Sequence, residues 1–213
     1  MKTTHSVRLY LAIACLASAL VSGGCATVPK AERYVAPPPG ATYTGSQSNT
    51  GSFGSGTSQI TTKVAERVWE GKRVTAFVAP IWVQLIDADG CWPVILGPDD
   101  KPILSFDPAI GYNWPLEIGK TWTQSYRVTV HPTKQTMPFD STWKVEAYED
   151  VTVPAGTFKA FKVSFSGTLG EEFLMWYIPE LGFHGKRIER RTAKWPSGPG
   201  IRESELVSYT IAK

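Results

Sequence analysis

The sequence predicts an all-β domain of antiparallel strands that follows an export signal and a flexible N-terminal segment. Three observations support this fold class. Apolar and polar residues alternate along several short segments, and turn-forming residues, with 19 Gly and 16 Pro in the chain, separate these segments. Aromatic residues, which strands favour, make up 12% of the chain. A length of 213 residues is enough for one domain with a hydrophobic core.

The N-terminus has the features of a secretory signal peptide over residues 1–24. Lys2 and Arg8 provide a basic start, an apolar stretch covers residues 9–21, and the small residues Ser-Gly-Gly follow at 22–24. The apolar stretch is shorter than the roughly 20 residues that a membrane-spanning helix needs. The pattern therefore predicts export from the cytoplasm and removal of the segment.

Cys25 follows these small residues directly, and the arrangement resembles a bacterial lipobox. In that motif the cysteine receives a diacylglyceryl group and becomes the mature N-terminus, although Ser22 stands where most lipoboxes have Leu. The resemblance implies a lipid anchor at Cys25, and Ala26 in place of Asp implies the periplasmic face of the outer membrane. The alternative is ordinary signal cleavage, for instance after Ala19, which would give a soluble periplasmic protein.

The composition of residues 25–59 predicts a flexible linker. A proline-rich segment at 36–40 precedes a stretch at 45–58 that consists mostly of Gly, Ser and Thr. Such a segment has too little apolar surface to offset the entropy of ordering it. As a random coil its 34 residues after Cys25 would reach roughly 30 Å. We therefore expect a disordered tether between the lipid anchor and the domain.

Residues 60–213 are predicted to form the β domain. Apolar residues recur at every second position in several runs, which places one set of side chains on a buried face and the other toward water. The clearest runs are 122–130, 143–148, 161–165 and 207–211. Gly and Pro between these runs predict tight turns and an antiparallel arrangement.

Residues that could carry chemistry are few. His131 and His184 are predicted to lie in turns, Asp87 and Asp89 belong to a predicted hairpin turn, and Cys91 is predicted to be a buried apolar residue. No spacing typical of a metal site, a phosphate loop or a nucleophile–base set occurs. The sequence therefore predicts no catalytic residue, no metal and no cofactor, and a net charge of only +3 argues against nucleic-acid binding.

A basic cluster near the C-terminus is the strongest charge feature, and it contains Lys186, Arg187, Arg190, Arg191 and Lys194. On a strand, Lys186 and Arg190 would share one face. Arg187 and Arg191 would then share the other face. Two interpretations are open: a solvated edge strand, or contact with anionic envelope material such as lipid head groups.

Four segments resemble a family of bacterial secreted proteins and lipoproteins that has no agreed activity. The segments are Trp114–Trp122, the run Val153-Pro154-Ala155-Gly156-Thr157-Phe158, the run from Trp176-Tyr177-Ile178-Pro179 to Lys186, and Glu205–Tyr209. The resemblance implies a single antiparallel curved sheet or an open half-barrel, and it implies no catalytic residue.

These features predict a non-catalytic, lipid-anchored envelope protein whose β domain binds an apolar ligand or an envelope component. Eight tryptophans would form the core or line a ligand groove. The main alternative is an assembly or structural accessory protein that binds another protein along an exposed strand edge. A hydrolase acting on the cell envelope is a third possibility, which clustered Asp, Glu or His in a deep pocket would support.

Overall fold

The computed structural model describes residues 29–211, in which fourteen strands and one 3-10 turn follow each other along the chain. The strands are β1 (Lys30–Ala31), β2 (Thr42–Gly51), β3 (Gly56–Trp69), β4 (Lys72–Val78), β5 (Val83–Ile86), β6 (Trp92–Leu96), β7 (Pro102–Ile110), β8 (Leu116–Glu117), β9 (Thr121–Val130), β10 (Gln135–Val153), β11 (Gly156–Gly167), β12 (Glu171–Ile178), β13 (Phe183–Arg191) and β14 (Gly200–Thr210). The 3-10 turn, His131–Thr133, joins β9 to β10. No helix in this part of the chain has the length and apolarity to cross a membrane.

Twelve of the strands form a closed antiparallel barrel, so the prediction of a curved sheet or open half-barrel is wrong. The order around the barrel is β10-β11-β12-β13-β14-β2-β3-β4-β5-β6-β7-β9, and β9 pairs with β10 again. Closure depends on β2, which pairs with β14 from Thr42↔Thr210 to Gly51↔Gly200. Closure gives each of these twelve strands two hydrogen-bonded neighbours.

The predicted disordered tether is also wrong for much of its length, because it supplies β2 and the start of β3. The predicted domain boundary at residue 60 falls inside β3. Tyr43 is the only large apolar residue in β2, and it is 1% exposed. The strand is held mainly by backbone pairing to β14 and β3, which a Gly- and Ser-rich composition does not reveal. The signal peptide and Cys25 lie outside the described residues.

One half of the barrel lumen is filled by a cluster of apolar and aromatic side chains, which we call the packed half. Trp143 lies at its centre with 1% exposure, stacked on Trp122 at 5.4 Å and edge-on to Phe165 at 4.7 Å between ring centroids. The other fully or nearly buried members are Ile110, Tyr112, Leu116, Tyr126, Val128, Phe139, Val145, Phe161, Val163, Met175 and Tyr177.

The turns alternate between the two ends of the barrel because consecutive strands are antiparallel. One end, the Tyr34 end, carries the N-terminal segment and the connections 87–91, 111–120 and 179–182. The other, the Phe53 end, carries the connections 52–55, 79–82, 97–101, 131–134, 168–170 and 192–199.

The N-terminal segment crosses the Tyr34 end and covers it. β1 pairs with β8 outside the barrel, and the Tyr34 ring lies 6.4 Å from that of Trp114. Gly90, which has a φ of +76°, lets Tyr34 approach, because a Cβ at that position would lie 2.7 Å from the tyrosine ring. This end of the barrel is therefore sealed by residues that precede the first barrel strand.

Candidate functional site

The lumen beside the packed half contains a partly open cavity of about 180 Å³. We call this part the hollow half. Strands β2, β3, β4, β5, β13 and β14 form most of its wall, and Tyr34 closes it toward the Tyr34 end. The side chains that line the cavity include Tyr43, Phe77, Tyr112, Phe183, His184, Arg187, Glu189 and Ser204.

One wall of the cavity is aromatic and rigid. Tyr43 stacks on Phe183 with ring centroids 4.2 Å apart and an interplanar angle of 15°, and Phe77 lies 5.4 Å from Phe183. The Tyr43 hydroxyl donates a 2.7 Å hydrogen bond to the Leu181 carbonyl, and burial raises its pKa to about 12. These contacts fix the rings in place, so the wall offers a preformed apolar surface.

A neutral tyrosine–histidine pair marks the boundary between the hollow and packed halves. The Tyr112 hydroxyl and His184 Nε2 lie 2.6 Å apart in a hydrogen bond. Burial, and secondarily the charge of Arg187, lowers the pKa of His184 to about 3. Burial also raises the pKa of Tyr112 far above its usual range. Both groups are therefore neutral near pH 7. Neither pKa lies near this pH, whereas a general acid or base works best with a pKa near the operating pH.

Charged side chains lie on the facing wall and directly behind it. Glu189 is 9% exposed, and its Oε1 lies 3.3 Å from Arg187 Nε and 3.9 Å from an Arg202 guanidinium nitrogen. Arg202 also donates a 2.9 Å hydrogen bond to Asn49 Oδ1. Arg187 Nε is buried and makes no hydrogen bond, because its approach to Glu189 lacks the required geometry. Arg202 lies behind the residues that line the cavity, which also include the ion pair of Lys186 with Glu205; three basic and two acidic side chains therefore leave one positive charge in this region.

Arginine–aromatic contacts hold the Phe53 end together. The Arg191 guanidinium lies 3.8 Å from the centroid of the Phe53 ring and 4.7 Å from that of Trp195. It also donates a 2.9 Å hydrogen bond to the Ser52 carbonyl. Trp195 is half-buried by this contact. The turn after β2 is thus fastened to the turn after β13.

The structure divides the predicted basic cluster between two faces of β13 and the following turn. Arg187 and Arg191 point into the lumen. Lys186 pairs with Glu205 at 2.6 Å, and both residues line the cavity, whereas Arg190 and Lys194 are exposed. The five residues do not form one surface, and contact of the outward-facing ones with anionic envelope material stays a prediction.

The other residues considered for chemistry have local roles. Asp87 Oδ1 accepts hydrogen bonds from the backbone nitrogens of Asp89 at 3.0 Å and Cys91 at 2.8 Å, which closes the predicted hairpin turn. Burial, with Asp87 and Asp89 adding to it, raises the pKa of Cys91 to about 12, so the thiol stays protonated. His131 lies in the 3-10 turn and bonds to Ser105 Oγ at 2.9 Å. Within residues 29–211, no three His, Cys, Asp or Glu side chains are placed to hold a metal ion.

Sequence reasoning missed that His184, Arg187 and Glu189 face the same lumen. Strict alternation would put His184 on the opposite face from the other two. The pairing of β12 with β13 steps from Trp176↔Lys186 to Tyr177↔His184, so Gly185 is the extra residue of a β-bulge. An isolated glycine within a strand pattern was the available signal.

Neither a protein-family model nor a curated protein matches the chain by sequence. Three solved structures are similar in outline. An exported protein of Bacteroides fragilis, described as having a YmcC-like fold, is 13% identical, with a TM-score of 0.49 over 84% of this chain and 99% of the other. A lipoprotein of Parabacteroides distasonis is 7% identical, with a TM-score of 0.44 over 84% and 99%. The hypothetical lipoprotein YmcC of Escherichia coli is 11% identical, with a TM-score of 0.31 over 80% and 85%.

At these levels of identity and structural agreement, we infer neither a function nor a cellular location for this chain from the three structures. The resemblance of its sequence motifs to a family of secreted proteins and lipoproteins also stays a prediction.

Proposed function

We propose that this protein is a non-catalytic, ligand-binding lipoprotein of the bacterial envelope, whose barrel holds a small molecule with an apolar body in the hollow half. One observation carries the proposal: beside two packed apolar clusters the lumen keeps an unfilled space, and ordered aromatic rings line this cavity. Protein interiors are normally close-packed, so an unfilled aromatic cavity inside a rigid barrel is typical of a binding site.

The size of the cavity limits the ligand. Its volume of about 180 Å³ is slightly larger than the roughly 150 Å³ of an engineered apolar cavity that binds benzene. The stacked Tyr43 and Phe183 rings need not reorganise to receive an apolar group, which lowers the entropic cost of binding. A single small amphiphile, rather than a complete two-chain lipid, matches this space.

Closure of the barrel argues against the assembly alternative. That hypothesis needed a bare strand edge to which a partner strand could add. Each of the twelve barrel strands pairs with two neighbours over part of its length, so none offers an edge that is bare throughout. Binding within the lumen is therefore better supported than binding along a strand.

Ligand binding is tested by filling the cavity. Ser204 on β14 lines it, whereas Ser208 on the same strand is exposed and lies outside it. We expect residues 26–213 to bind 1-octanol saturably in isothermal titration calorimetry, Ser204→Leu to weaken that binding at least tenfold, and the control Ser208→Leu to leave it unchanged. Failure of 1-octanol and of eight-carbon amphiphiles with charged head groups to bind the unmodified barrel saturably would refute the proposed function.

The lipid anchor is tested at Cys25, with Cys91 as the matched control. Cys25→Ala is expected to release the protein from membranes and to abolish labelling with a radioactive fatty acid, whereas Cys91→Ala should behave like the natural protein. Membrane fractionation and labelling of both variants measure this. Unchanged fractionation of Cys25→Ala would contradict the anchor.

The anchor would hold the barrel close to the membrane. Lys30, the first residue of β1, is five residues after Cys25, which corresponds to at most roughly 18 Å of extended chain. This replaces the longer tether expected from composition. The Tyr34 end, on which β1 lies, would therefore be the end nearest the bilayer.

A further inference from the structure

We propose that the hollow half selects amphiphiles that carry a single carboxylate, and that Arg187 binds this head group. The inference rests on the proposed ligand binding and names the class of ligand. Its starting point is Arg187 Nε, a buried donor on the cavity wall that lacks a hydrogen-bond partner. A buried N–H without an acceptor is costly, and a cationic one more so, which makes this group a candidate for contact with a ligand oxygen.

The electrostatic balance of the wall favours an anion with one charge. Arg187 and Arg202 both approach Glu189 Oε1, the second at the long distance of 3.9 Å, so one glutamate faces two guanidinium groups. The remaining positive charge repels a cationic ligand and is neutralised by a monoanion. The neighbouring His184 and Tyr112 are neutral and add no competing charge.

The geometry of the head group follows from the guanidinium. Arginine presents its donors in a planar fork, and an ionised carboxylate is an acceptor-only group with two oxygens that match this fork. The Arg187 guanidinium lies 4.8 Å from the centroid of the Phe173 ring, which limits its freedom to turn away from the cavity. A lysine would keep the charge at this position but not the planar pair of donors.

The apolar body has its place on the aromatic wall. Tyr43, Phe77 and Phe183 line the same cavity as Arg187, so one small molecule can meet both surfaces. The carboxylate would contact Arg187 while the hydrocarbon portion covers the aromatic rings. This arrangement distinguishes an acidic amphiphile from a purely apolar molecule. The apolar molecule would leave Arg187 Nε with its ion pair to Glu189 but without a hydrogen-bond partner.

Three eight-carbon probes that differ only in the head group test the proposal: octanoate, 1-octanol and octylammonium at pH 7, each titrated by calorimetry into the barrel. We expect octanoate to bind at least tenfold more tightly than 1-octanol, and octylammonium to bind most weakly. Arg187→Gln should lower the affinity for octanoate to that for 1-octanol, while 1-octanol binding changes less than twofold. Arg190→Gln, on the outward face of the same strand, should leave all three affinities unchanged.

If Arg187→Gln fails to fold, Arg187→Lys provides the test, because the lysine retains the positive charge beside Glu189. It is expected to lose most of the preference for octanoate. Equal binding of octanoate and 1-octanol by the natural barrel, or a preference that survives both Arg187 variants, overturns this inference and leaves the proposed function standing. Failure of all three probes to bind overturns both.

Discussion

The packed and hollow halves of the lumen are built from the same twelve strands, yet they differ in what they contain. The packed half around Trp143 consists of apolar and aromatic side chains in mutual contact. The hollow half also has an aromatic wall, but this wall faces Arg187 and Glu189 across a cavity. The difference teaches that a closed barrel of this size can keep a cavity in its lumen, because the cluster around Trp143 and a second buried cluster that contains Tyr43, Val64 and Phe77 stabilise the strands around it.

The two halves should therefore respond differently to truncation of an aromatic residue. Trp143→Ala removes a fully buried ring from the packed half and is expected to lower the free energy of unfolding by about 3–5 kcal/mol. Trp82→Ala, at the half-buried rim of the cavity, should cost about 1 kcal/mol, because little packed volume is lost. Urea unfolding of both variants measures this, and equal costs would show that the division into halves has no energetic basis.

The boundary between the halves is sensitive to pH through His184. Its pKa is lowered from 6.5 to about 3 in the fold, so below pH 6.5 the unfolded chain binds a proton that the folded chain does not. Stability contributed by the neutral ring is fully present above pH 6.5 and falls by about 1.4 kcal/mol per pH unit as the pH drops toward 3.

The variant His184→Gln isolates this contribution, because glutamine can keep a hydrogen bond to Tyr112 without titrating. The stability of the natural protein relative to His184→Gln should decrease by roughly 2–3 kcal/mol between pH 7 and pH 4.5. Chemical unfolding curves at several pH values give the difference, in which the effects of other titrating groups cancel. Parallel pH profiles would contradict a buried neutral histidine at the boundary.

The sequence predicts the packed half better than the hollow half, for physical reasons that individual residues illustrate. Alternation over residues 122–130 matches β9, and the turn after Val153 matches the β10–β11 hairpin, because both signals are local. Closure of the barrel was missed because β2 has only Tyr43 as a large apolar residue and is defined by its partners. The meeting of His184 with Arg187 and Glu189 was missed because the bulge at Gly185 brings His184 to their side of β13.

Gly156 tests how far the pairing of β10 with β11 depends on their local turn. The glycine pairs with Val153 across the Pro154-Ala155 turn, and its φ of +136° lies in a region that side chains with a branched Cβ resist. A Cβ at this position would meet only the Phe158 ring at 3.6 Å, an ordinary contact, so any cost of Gly156→Val comes from the backbone.

We expect Gly156→Val to lower the free energy of unfolding by about 1–3 kcal/mol. Lys159→Ala, three residues on, is the control: its 3.0 Å ion pair with Asp150 is largely exposed and should contribute within about 0.5 kcal/mol. Thermal melts of both variants provide the comparison. Equally small effects would mean that the contacts of Val145, Val163 and Phe165 in the packed half set the register of β10 and β11 without help from the turn.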